Sequence, residues 1–99
     1  MADVFISEYV RLARDADGNV IPVGKEPAIA EQKLLIGTEV DSAAFNENAT
    51  LIRVHAEAAC CLLFGLAPTA TVDKKRMGAG ATEYFGIVPG QKVSVIADA

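Results

Sequence analysis

Apolar and polar positions alternate most regularly between residues 51 and 64. Every even position there is apolar: Ile52, Val54, Ala56, Ala58, Cys60, Leu62 and Phe64. The odd positions open with Leu51, Arg53, His55 and Glu57, then turn apolar at Ala59, Cys61 and Leu63. Successive side chains of a strand point to opposite faces, so a period of two predicts a strand whose even face lies in the core. The apolar second half of the odd face predicts burial on both sides, or contact with a partner. Two alternatives stay open. Residues 57–63 have good helix propensities, and a tight turn near Glu57-Ala58 would split the run into two paired strands.

The same period appears elsewhere. Val4, Ile6, Val10 and Leu12 alternate with Phe5, Ser7, Tyr9 and Arg11, and Glu8 interrupts the apolar row, which suggests an edge. Asp15-Ala16-Asp17-Gly18-Asn19 is a turn, and Val20-Ile21-Pro22-Val23 returns as a short strand that Pro22 confines to an edge. Residues 3–23 thus read as a β-hairpin. Residues 30–38 read as a strand, with a helix over 28–36 as the rival. Asp41 to Thr50 reads as a loop that tucks Phe45 into the core. Residues 69–80 read as a second loop. Residues 82–88 and 92–97 read as strands around Pro89-Gly90, which suits a type II turn and predicts a wide loop or a corner between sheets. The expected core is Val4, Ile6, Ile52, Val54, Leu62, Phe64, Phe85, Val93 and Val95.

About six to seven strands with turns every 8–12 residues predict an all-β fold, a small β-sandwich or jelly-roll-like barrel. The 99 residues suffice for a single domain, 1–99. Composition agrees: Val plus Ile number 17 against 9 Leu plus Met, and β-branched side chains favour a pleated surface. Nine basic residues against 13 acidic give a net charge of −4, which argues against a general nucleic-acid binder. The charge is uneven. Residues 1–50 hold nine acids and four bases, whereas residues 51–99 hold four acids and five bases. No run of apolar residues is long enough to predict a membrane span. Met1-Ala2-Asp3-Val4 does not resemble a secretory signal. Adjacent Cys60 and Cys61 cannot staple distant segments and suit a reducing cytoplasm.

Candidate chemistry is sparse. On a strand, Cys60 and Cys61 point to opposite faces and cannot share a metal. His55 shares a face with Cys61, but six residues of strand separate them by roughly 20 Å. Only a hairpin through this run would bring them together. Asp15, Asp17 and Asn19 alternate like the start of a calcium loop, but Gly18 comes one place too early and no Glu closes the loop. Gly78-Ala79-Gly80 lacks the Gly-Lys-Ser/Thr ending of a phosphate loop. We therefore expect no enzyme, no catalytic residue, no cofactor and no metal. The candidate protein-interface residues are Cys61 and Leu63, on the apolar odd face, with Lys74, Lys75 and Arg76, the one basic run.

A wider pattern spans residues 26–97. It comprises Glu26-Pro27-Ala28-Ile29-Ala30-Glu31-Gln32, Ser42-Ala43-Ala44-Phe45-Asn46, Thr50 to Glu57 with Arg53-Val54-His55, Phe64-Gly65 with Pro68-Thr69-Ala70-Thr71, Arg76-Met77, Glu83-Tyr84-Phe85-Gly86 and Pro89 to Ala97. It resembles small proteins encoded in the virion-structure modules of tailed phages and prophages. The resemblance covers about three quarters of the chain as dispersed short motifs. It implies a compact β-sandwich that serves as a capsid decoration or cement protein. Its partners would be the major capsid protein or other virion proteins, and it would act as a homo-oligomer. A tail-tip, fibre or head–tail joining module is the alternative. The implied location is the virion, after synthesis in the host cytoplasm, and the family brings no catalytic residues. Cys60-Cys61-Leu62-Leu63 departs from it in being more apolar than a simple strand needs.

Overall fold

A computed structural model describes residues 2–98, and they form an all-β sandwich of ten strands. Strands β1 (Asp3–Tyr9), β4 (Ala30–Leu35), β6 (Leu51–Ala56) and β9 (Thr82–Gly86) make one sheet, in the order β4-β1-β6-β9. Strands β5 (Val40–Asp41), β7 (Cys60–Gly65), β8 (Lys75–Met77) and β10 (Lys92–Ala97) make the other, in the order β5-β10-β7-β8. Strands β2 (Leu12–Arg14) and β3 (Val20–Gly24) form a separate two-stranded ribbon. All pairs are antiparallel.

The even-numbered face of residues 52–64 lies inward. Ile52, Val54, Ala56, Cys60 and Leu62 are buried in one cluster with Val4, Ile6, Phe45, Met77, Val93 and Val95. Phe64 packs against this cluster and meets Phe85 of the opposite sheet at 5.2 Å between ring centroids. Every residue of the expected core belongs to this cluster or packs on it, and Phe45 is the buried loop anchor.

Several expectations need correction. The run 51–64 is neither one strand nor a hairpin. It breaks at Glu57-Ala58-Ala59 and carries the chain from one sheet to the other. Residues 3–23 are not one hairpin. The chain leaves the first sheet after Tyr9, and only β2 and β3 pair around the turn at 15–19. Strand β1 lies inside its sheet between β4 and β6, so Glu8 does not mark an edge. Residues 75–77 are strand β8, not loop, anchored by buried Met77. The count is ten because β2, β5 and β8 are too short to show a period.

Pro89-Gly90 is a corner between sheets. The Gln91 amide donates to the Val88 carbonyl at 3.1 Å, and Gly90 takes φ +85°. That is the type II geometry, in which a positive φ at the third position favours glycine.

Candidate protein interface

The predicted interface face of β7 is covered by the chain itself. Cys61 is 0% exposed, and its Sγ donates to the Val72 carbonyl at 3.4 Å. Ser94, beside Leu63 on β10, is also fully buried. Its Oγ accepts the Ala70 amide at 2.8 Å and donates to the Glu39 carboxylate. Pro68 and Ala70 are buried as well, so the segment 66–74 lies over this face. Cys61 is therefore excluded as a surface contact, and Leu63 is half-buried. Cys61 does have a partner, but it is the protein's own loop. Burial also pushes the thiols up, Cys60 to about 11, so neither is a thiolate at neutral pH.

The basic run stays at the surface, divided between a loop and a strand. Lys74 lies in the loop, its amide bonded to the Thr71 carbonyl at 3.1 Å. Lys75 and Arg76 sit on β8. The Lys75 ammonium stands 5.8 Å from the centre of the Phe85 ring, and Arg76 pairs with Asp98.

The exposed apolar surface gathers elsewhere. Strand β1 ends at Tyr9 where β6 begins and β9 ends. Because residues 57–59 turn the chain over at the far end, Gly65 of β7 and Lys92 of β10 also lie at the Tyr9 end. Val10, Val20, Val23, Ile29, Leu66 and Val88 all belong to this end or to the ribbon that grows from it. Among the described residues they are six of the nine large apolar side chains left exposed, at up to 74% for Leu66. The other three are Phe5, Leu35 and Val72. Between ribbon and sheet runs a hollow of 400 Å³ lined by Leu12, Pro22, Leu51, Tyr84 and Phe85 among others. Val20 and Val23 were legible as strand residues, but nothing in their spacing shows that no sheet covers them.

Tyr9 fixes the ribbon to the sandwich. It is 2% exposed, and its hydroxyl donates to the Glu26 carboxylate at 2.7 Å. A Cβ on Gly24 would fall 2.5 Å from the Tyr9 ring, so only glycine fits there. Burial, then the neighbouring Glu26, pushes the Tyr9 phenol up to about 12. The unfolded chain releases this proton near pH 10, earlier than the folded one. The folded state thus holds the extra proton, and stability present below pH 10 is lost as pH rises toward 12. Urea midpoints measured from pH 8 to 11 should fall above pH 10, and a Tyr9→Phe variant should flatten that fall.

The outer face of the first sheet holds a shallow hollow of 330 Å³ lined by Phe5, Ser7, Glu31, Arg53 and His55 among others. His55 Nδ1 and Thr82 Oγ1 lie 2.7 Å apart. His55 is on the outside of one sheet and Cys61 on the outside of the other, so the two do not meet. Among the described residues no three His, Cys, Asp or Glu side chains are grouped to hold a metal. Asp15 instead caps its own turn, its carboxylate accepting the Asp17 and Asn19 amides at 2.9 Å each. No family model matches the chain, and neither a curated protein nor a solved structure does.

Proposed function

We propose that this protein is a non-enzymatic structural component of a phage virion, a decoration or cement subunit that docks on the capsid lattice through its ribbon end. The observation that carries this reading is that, among the described residues, six of the nine exposed large apolar side chains lie at that one end or on the ribbon. Exposed apolar groups that cluster mark an interaction surface, whereas scattered ones need no explanation. The resemblance of residues 26–97 to virion-structure proteins supplies the partner, the major capsid protein. Exposed charge pairs contribute about 0–1 kcal/mol each, so the apolar contacts hold the subunit and charge sets its register. A repeating lattice then turns modest contacts into firm retention.

The subunit acts as a small homo-oligomer in this reading. Strand β9 pairs on one side only, with β6. The Ile87 amide bonds to the Thr50 carbonyl and the Ala56 amide to the Ala81 carbonyl. The alternation of an antiparallel ladder therefore turns the backbone groups of Thr82, Tyr84 and Gly86 outward, available to a second copy.

The test is mass spectrometry of purified virions made from the genome that encodes this chain. A capsid subunit is expected at on the order of hundreds of copies per particle, as lattice repetition requires. A dozen or fewer would place it in the tail or at the head–tail junction, and none would end the proposal.

A further inference from the structure

Three basic residues sit together where the ribbon leaves the sandwich. Arg11, Arg14 and Lys25, with Leu12, line a hollow of 150 Å³. They are three of the four bases in the acidic half of a chain whose net charge is −4. Among the described residues the one ion pair is Arg76 with Asp98, so no carboxylate pairs with any of the three. None of the nearby acids, Asp17 of the turn included, forms an ion pair with them, and two of those acids are engaged elsewhere. Glu26 accepts the Tyr9 hydroxyl, and Asp15 accepts the amides of its own turn.

The backbone holds this arrangement in place. The Lys25 amide donates to the Arg11 carbonyl at 3.0 Å, which ties the two across the ribbon base. The Arg14 Nη1 donates to the Gly18 carbonyl at 2.8 Å, which fixes the guanidinium along the ribbon. Three like charges around one small hollow repel one another, and an anion between them relieves the repulsion. A monocarboxylate would leave two of the charges unanswered. A phosphate group brings up to two negative charges and several acceptor oxygens, and guanidinium donors match it in charge and geometry.

We propose that the ribbon base is a phosphate-binding site in which Arg11, Arg14 and Lys25 clamp one phosphate group. This does not rest on the capsid reading and holds for any role of the ribbon. Bound phosphate would bridge β2 to the segment after β3 and lock the ribbon's angle to the sandwich.

The test is an amide NMR titration of the full chain with sodium phosphate, against sodium chloride at equal ionic strength. Saturable shifts are expected only with phosphate, at residues 11–14 and 20–25. Lys25→Gln and Arg11→Gln should each weaken binding at least about tenfold, the loss of one charge-assisted contact, with the rest of the spectrum unchanged. Arg14 is left alone because it also holds the turn. A nucleoside monophosphate and a single-stranded oligonucleotide separate the sources. Equal binding of free phosphate and monoester supports a site for the phosphate group alone. Affinity that climbs with oligonucleotide length, with shifts spreading beyond the ribbon base, would overturn the single-group site in favour of a nucleic-acid surface. Equal shifts with chloride, or variants that titrate like the parent, would also overturn it.

Discussion

Truncating Leu62 to Ala is expected to cost the fold about 3–4 kcal/mol, the lost transfer of a buried side chain plus the cavity left behind. Leu62 is 1% exposed and sits in the middle of the core cluster, on the inner face of β7 between Val95 and Lys75. A domain of this size has about 5–15 kcal/mol in all, so the variant should stand close to unfolding. Its neighbour provides the contrast. Leu63 faces the other way and is only half-buried, so Leu63→Ala should cost about 1 kcal/mol, since partial burial yields only part of the apolar transfer term. Urea unfolding of the two variants checks both. Equal losses would mean that β7 does not separate an inner from an outer face.

Replacing Glu8 with Gln is the second large effect, despite its conservative look. Glu8 is 2% exposed, and its carboxylate accepts the Asn46 amide at 2.7 Å and the Gln32 side-chain amide at 3.1 Å. Gln32 cannot turn over freely, because its oxygen accepts the Ala43 amide at 2.9 Å. Both partners of Glu8 are therefore donors. A glutamine there must present its own donor to one of them. Losing a hydrogen bond to a charged group costs about 1.5–3 kcal/mol, and a stranded buried donor adds to that, so a loss of about 2–4 kcal/mol is expected. The loop that carries Phe45 should loosen first, because Glu8 ties that loop to β1. Glu31→Gln, on an exposed position, should stay within about 0.5 kcal/mol. Chemical denaturation with hydrogen exchange at residues 42–49 reads both effects.

Glu8 shows what the sequence could and could not reveal. As a letter it breaks an apolar row and suggests an edge. Its role depends on Gln32 and Asn46, 24 and 38 residues away, whose positions no local period encodes. The core was legible because burial repeats every second residue and the chain obeys it strictly at 52–64. The break at 57–59 was legible only as one of the open alternatives, and its crossing between sheets was not legible at all; the reason is parity. Ala56 and Cys60 are four residues apart, so the even face points inward on both sides of the turn and the alternation runs through it unbroken. The helix rival drops out for the same reason, since both halves keep a period of two. Cys61 was legible as apolar and covered, but covering by residues 66–74 looks the same in sequence as covering by a partner. The ribbon residues gave the opposite problem. Val20 and Val23 read as ordinary strand residues, and their exposure follows only from β3 pairing with nothing but a three-residue strand.

Whether the ribbon end attaches the chain to a particle is tested most directly by rebinding. Virions from a genome lacking this gene would be incubated with the purified protein, and bound copies counted after sedimentation. The parent chain should saturate the particles at a fixed multiple of the capsid subunits. Val20→Asp with Val23→Asp puts charge on two exposed positions and should leave stability within about 0.5 kcal/mol, yet it should not bind. Thr38→Glu, on an exposed position beyond Leu35 at the opposite end of the first sheet, should bind as the parent does. Rebinding of the ribbon variant at the parent's level, or failure of the parent to bind the particles at all, would contradict the account.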